Sequence, residues 1–170
     1  MKNSWHVATA AEAITAAQFA RCGWDISVQY GANQPEYDLV AVDGSRVLKI
    51  SVKGSQDGAW GLTQSYKEKA TYHEAIDTWL QRHGPKTVFC FVQFYEVQLS
   101  SLPRMYLAMP EEIAVWLKNA AKGRGVTTLS ESHAWTNRAH AAGTIDVIPD
   151  EWRFTADRVN ALADRLDQMA

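Results

Sequence analysis

Near the N-terminus, Ala10, Ala13, Ile14 and Ala17 recur at helical spacing. Thr9 followed by Glu12 has the form of a capping box, and Gly23 stands where a helix would close, so the pattern predicts a helix from Thr9 to Gly23. The rhythm then changes to alternation over Trp24–Tyr30, a strand, with a loop by composition at Gly31–Pro35. Tyr37–Val42 and Arg46–Lys53 read as two strands of a hairpin joined at Asp43-Gly44. Gly54–Gly61 reads as a loop. A helix is expected from about Tyr66 to Arg82, with Ala70, His73, Ile76, Asp77 and Leu80 near one stripe, ended by His83-Gly84-Pro85. Thr87–Phe94 is almost wholly apolar, β-branched or aromatic, the signature of a strand buried on both faces. Met105–Met109 reads as a strand, Pro110 with Glu111 and Glu112 opens a helix to about Lys122, Thr144–Ile148 is a short edge strand, and Pro149–Met169 is a final helix. Residues 123–143 show no clear period.

This order predicts an α/β fold: one domain over residues 1–170, with a mixed central β-sheet flanked by helices. An α-β-β-β-α-β core would occupy about 8–109, and a C-terminal helical elaboration about 110–170. At 170 residues the chain fits one domain and needs no staple of disulfide or metal to fold. No apolar run approaches the roughly 20 residues of a membrane span. Cys22 and Cys90 are far apart in apolar company, and no secretory apolar segment follows Met1, so a cytoplasmic location is expected. The seven tryptophans are scattered singly, as packing residues are.

Charge narrows the options. Lys and Arg number 17 against 19 Asp and Glu, a net −2. A generic basic nucleic-acid coat is excluded, and any phosphate contact must come from a local patch. Only the middle of the chain, residues 61–125, carries a cationic surplus.

Ser51 and Lys53 are two apart on one predicted strand and so share a face. Asp38 opens the neighbouring hairpin strand, and Glu12 lies on the helix that must pack on this sheet. Two carboxylates beside a lysine can hold a hard divalent cation with its waters and orient an attacking water at phosphorus. Each residue also has a plainer reading. Glu12 would close a capping box, Asp38 would be a strand-start residue, and Lys53 with Lys49 and Ser51 would form a wet strand face. An Asp between Tyr37 and Leu39-Val40 is costly if buried without a partner, which favours a role for Asp38.

The stretches "AAEAITAAQFARCGWDI", "NQPEYDLVAVDG" and "VLKISVKGS" together resemble the PD-(D/E)XK nuclease superfamily, in particular its Holliday-junction-resolvase-like branch. The resemblance covers about a third of the chain closely. It implies a restriction-endonuclease-like core and a metal-dependent endonuclease that hydrolyses DNA phosphodiester bonds with Mg2+ or Mn2+. It gives Asp38 the role of principal metal ligand, Glu12 that of a ligand through water, and Lys53 that of water-orienting base. At the position usually filled by Glu, Asp or Gln this chain has Ser51. Three readings follow. The Val52 carbonyl, the Ser51 hydroxyl and water complete the site; or a carboxylate, Glu68 or Glu74, reaches in from the next helix; or the domain binds DNA or a protein partner without cutting. Chance coincidence of the four residues is a further option. Cutting two strands would suit a homodimer.

Gln56, Asp57, Gln64, Tyr66 and Lys67 follow Lys53 in polar loop sequence and read as solvated. Lys118, Lys122 and Arg124 cluster at a predicted helix C-terminus, where cations favour the dipole. His133, Trp135, Arg138 and His140 offer rings and cations for base stacking, but a loop burying its tryptophan is the simpler reading.

Overall fold

The structure is a computed structural model that describes residues 3–29 and 36–169; the expected Gly31–Pro35 loop and the strand end at Tyr30 lie outside the described residues. Helix α1 spans Ser4–Arg21 and is capped by Asn3, whose side chain accepts from the Trp5 N–H. Thr9 and Glu12 are therefore interior helical residues, and the expected capping box does not form. The cause is competition: Asn3 caps equally well one and a half turns earlier. The buried stripe is Val7, Ala11, Thr15 and Phe19, not the one through Ala10, Ala13 and Ala17.

Strand β1 (Asp25–Val28) pairs antiparallel with β2 (Leu39–Asp43), which pairs antiparallel with β3 (Arg46–Ser55). Asp43 faces Arg46 across the turn and forms an ion pair with it. The tight turn is thus Gly44-Ser45, one residue later than expected, with Gly44 at φ +60. Strand β3 runs through Ser55, beyond the expected end at Lys53. After the short β4 (Ala59–Gly61), which occupies part of the expected loop, and a single 3-10 turn at Gln64–Tyr66, α2 covers Tyr72–Arg82. Thr71 caps α2 in a reciprocal box with Glu74, which explains its late start. Its buried residues are Ala75, Ile76 and Trp79, so of the expected stripe Ile76 is buried and Leu80 packs partly buried against the same core, in place of Ala70, His73 and Asp77.

Strand β5 (Thr87–Gln93) is buried at every position and runs parallel to β3; β6 (Arg104–Ala108) pairs antiparallel with β5. The sheet order is β1-β2-β3-β5-β6, a mixed sheet with one parallel pair. Helix α3 (Pro110–Asn119) and α4 (Ala156–Gln168) complete the layers. The α4 start lies after a 3-10 turn at Asp150–Trp152, later than Pro149. Between α3 and α4 the chain is not only helical: β7 (Thr128–Ser130) pairs with β4, and β8 (Ser132–Ala134) pairs with β9 (Ile145–Val147).

Period-2 alternation on the sheet builds two cores. Leu48, Ile50 and Val52 of β3 face α1 and α4 and meet Ala11, Phe19, Val159 and Leu162. Phe89 and Phe91 of β5 face the other way, into Ile76 and Trp79 of α2 and Ile113 and Leu117 of α3. The result is a helix–sheet–helix sandwich. Within the described residues no helix is long and apolar enough to cross a membrane.

Candidate active site

Strand β3 is the spine of the site. Its even positions are buried under α1, so Ser51, Lys53 and Ser55 project to the α2–α3 face. Ser51 pairs in register with Phe89 and Lys53 with Phe91. Lys53 is exposed, with its Nζ 6.0 Å from the Phe89 ring centroid. It forms no ion pair among the described residues.

Asp38 immediately precedes β2. Its backbone N–H donates to the Ile50 carbonyl at 2.8 Å, which continues the β2–β3 ladder one step. Its carboxylate Oδ2 accepts the Val52 N–H at 2.6 Å. A charge-assisted bond of this kind fixes the carboxylate against β3, between the Ser51 and Lys53 positions.

Glu12 arrives from the opposite layer. The middle of α1 crosses β3 at Gly54, where a Cβ would stand 2.9 Å from the Val7 carbonyl oxygen and 3.0 Å from the Ala11 Cβ. Only glycine permits this approach. It brings the α1 turn that carries Glu12 to the end of β3. Burial, and then the nearby Asp38 charge, raise the Glu12 pKa above the usual carboxylate range, while Lys53 pulls it down. Glu12 thus senses both other groups.

These side chains share one open recess of about 490 Å³, whose lining includes Glu12, Asp38, Val52, Lys53, Gln56 and Asp57. Of the four residues singled out in the sequence, Glu12, Asp38 and Lys53 therefore come together, with Val52 between them. Ser51 does not join them: it is 2% exposed and is not among the lining residues. Nor do the helix carboxylates. The Glu74 carboxylate accepts the Thr71 N–H at 2.7 Å and its hydroxyl at 2.9 Å, which holds the Glu74 pKa below the usual range. Glu68 is exposed and outside the lining.

Two features escaped the sequence reading. Asp57 is not merely solvated: its Oδ1 accepts the Ser55 hydroxyl at 2.8 Å and the Ala59 N–H at 3.3 Å, which shapes the rim. The Ser-x-Asp spacing after a strand was the available signal. Trp60, 4% exposed, closes the back, and its buried Nε1 has no hydrogen-bond partner among the described residues. No sequence signal marks that.

The donors are all oxygen, which suits a hard divalent cation that keeps several waters. Among the described residues no set of three His, Cys, Asp or Glu side chains is placed to hold a metal. The recess thus offers the Glu12 and Asp38 carboxylates and the backbone at Val52, with the Asp57 carboxylate engaged by Ser55 and Ala59 at its rim. Such a set fits a cation held largely through its own waters.

No family model matches this chain, and no curated protein matches it. Solved structures do. A bacterial homing endonuclease is similar over 100% of both chains at TM-score 0.53 and 11% identity. The Holliday junction resolvase Hjc of Archaeoglobus fulgidus matches at TM-score 0.42 and 15% identity, over 73% of this chain and 84% of that one. The first likeness identifies the fold as nuclease-like.

Proposed function

We propose that this protein is a divalent-cation-dependent endonuclease acting on DNA phosphodiester bonds, with Glu12, Asp38 and Lys53 as its working groups. One observation carries the reading. A helix carboxylate, a strand-start carboxylate and a strand lysine, separated in sequence, meet at one recess, where burial and Asp38 raise the Glu12 pKa. Clustering two acids without a cation is unfavourable, and a function that binds one explains the arrangement.

In this mechanism Asp38 and Glu12, with the Val52 carbonyl, would hold Mg2+ or Mn2+. The bound ion would supply charge neutralisation at the phosphate and a more acidic water. Asp38 is preset for its task by the Val52 N–H, which fixes its orientation before any ligand arrives. Lys53 forms no ion pair among the described residues, so its ammonium is available to orient the attacking water and to balance charge developing on the phosphoryl oxygens. Ser51, buried and not among the lining residues, is a small neutral neighbour rather than a ligand. Glu68 and Glu74 have no part in this arrangement. Two strands would be cut by two copies of the chain, each contributing one such recess.

A second reading is favoured by one specific observation: among the described residues no three His, Cys, Asp or Glu side chains are placed together to hold a metal. In it the same recess binds DNA, or a protein partner, without cleavage.

Incubation with supercoiled and branched DNA in Mg2+ and in Mn2+ separates the two. Cleavage is expected, with Asp38→Ala and Lys53→Ala each lowering the rate by about 100-fold or more. Cleavage that survives both substitutions overturns the assignment. DNA bound yet intact in both metals establishes the second reading instead.

A further inference from the structure

We infer that a second recess, walled by Tyr72, Trp116, His133 and Trp135, is a subsite for an unstacked nucleobase of a DNA strand. The identity of the ligand rests on the proposed nuclease reading, but the test below does not. The recess measures about 380 Å³, within the range of pockets that take small organic groups.

Its rings are held in place before any ligand arrives. Trp135 Nε1 donates to Asp146 Oδ2 at 2.7 Å, and the same oxygen accepts the Ala121 N–H at 2.8 Å. Trp116 Nε1 donates to the Val147 carbonyl at 3.0 Å. With both indole donors satisfied inside the wall, the rings present apolar planes. His133 stands edge-on to Trp135, with centroids 4.4 Å apart and an interplanar angle of 71°. Fixed rings lose little freedom on stacking, which favours binding.

Charge identifies the occupant. Lys67 Nζ lies 4.7 Å and the Arg124 guanidinium 5.3 Å from the Tyr72 ring centroid. Neither cation is in an ion pair among the described residues. Rings beside cations that have no ion pair match a base with its phosphate, because every base has a π-face and every nucleotide link a negative charge. An apolar protein segment would bring no anion to either cation.

Position supports the same assignment. Ala59 lines both this recess and the one that holds Glu12, Asp38 and Lys53. A strand with a phosphate at Lys53 can therefore place a neighbouring base here. A base inside a duplex is stacked on both faces, so the occupant must be unstacked.

The test uses a short single-stranded oligodeoxynucleotide carrying 2-aminopurine, in EDTA so that no cleavage occurs. Binding by the intact protein is expected to quench the probe. The double variant Tyr72→Leu with His133→Ala should weaken binding about tenfold or more, the loss expected for base–aromatic stacking. Arg124→Ala, at an exposed position, should lower the slope of log affinity on log salt by about 0.7, a readout that a packing role would not move. Binding without quenching, or no binding at low salt, overturns the inference, as does quenching with affinity and salt slope unchanged in these variants. Quenching without cleavage in any divalent metal would sink the nuclease reading and leave the subsite standing. Cleavage without quenching would do the reverse.

Discussion

Glu12 is the residue whose chemistry and stability pull apart most clearly. Its pKa is raised, chiefly by burial and next by Asp38. A carboxyl whose folded pKa lies above its unfolded value stabilises the fold fully below the unfolded value, and loses that contribution as pH rises through the folded one. At neutral pH ionised Glu12 therefore opposes folding. Glu12→Gln is expected to raise Tm slightly at pH 7 and to leave it unchanged near pH 4, while metal-dependent cleavage falls. A lower Tm at pH 7 in thermal melts across this range would mean that Glu12 is structural. Metal binding by the wild type should likewise strengthen as pH rises through the Glu12 transition, since the ion must displace the proton. The positions of Glu12, Asp38 and Lys53 were legible in the sequence because helix and strand periods put them at one end of one sheet. The role of Glu12 as a cap was misread because Asn3, six residues before Thr9, carries the same capping chemistry. The burial of Ser51 could be foreseen only in part: the strand period gives its face, but only packing against the Phe89 layer shows how deep it sits.

At the scale of elements, the crossing of α1 over β3 decides whether the site exists. Gly54 is the contact point, and the atoms a side chain would meet there include the Val7 backbone carbonyl, which cannot rotate away. Gly54→Ala should therefore push α1 off the sheet. Overpacking of this kind costs about 1–3 kcal/mol. Because Glu12 moves with α1, cleavage should fall further than the stability loss explains, even at temperatures where the variant is fully folded. Urea unfolding paired with cleavage rates on folded protein separates the two effects, and normal rates in the destabilised variant would show that α1 does not position Glu12. The elements themselves were mostly readable. The hairpin announced itself through Gly44, and β5 through an unbroken apolar run. The three-residue strands β4, β7 and β8 were not, because a stretch that short spans too few alternations to show a period, whereas β9 falls inside the expected Thr144–Ile148 strand. Their pairing comes from distant partners, Ala59 with Ser130 and Ser132 with Val147.

At the scale of the whole molecule, a net charge of −2 on 170 residues is reconciled with a DNA substrate only by placement. Most described arginines are spent on structure: Arg158 binds Glu112 across α3 and α4, and Arg165 binds Glu111. Lys53, Lys67 and Arg124, by contrast, are left without ion pairs among the described residues, and they stand at the two recesses. One cross-tie joins the segment that carries His133 and Trp135 to the central sheet. Glu131, between β7 and β8, accepts from Arg104 Nε at 2.7 Å and Nη2 at 2.8 Å and from the Tyr106 hydroxyl at 2.7 Å, while its own N–H donates to the Gly58 carbonyl at 3.0 Å. Burial alone would raise the Glu131 pKa, but Arg104 and Tyr106 together outweigh it and hold it below the usual range. Burial first, and then the hydrogen bond to Glu131, push the Tyr106 pKa up to about 12. A carboxylate with a lowered folded pKa contributes stability above its unfolded value and loses it as pH falls through the folded one. Glu131→Gln should therefore cost about 1–3 kcal/mol at pH 7, the range for hydrogen bonds to charged groups. The gap from wild type should shrink as pH drops below the ordinary glutamate range. Urea titrations at neutral and acid pH measure that convergence. If the variant is equally destabilised at both, Glu131 holds the small sheets through shape and backbone pairing, and its charge is incidental. If the gap closes, one ionised side chain joins the segment carrying His133 and Trp135 to the sheet carrying Lys53, and both recesses should loosen together in acid.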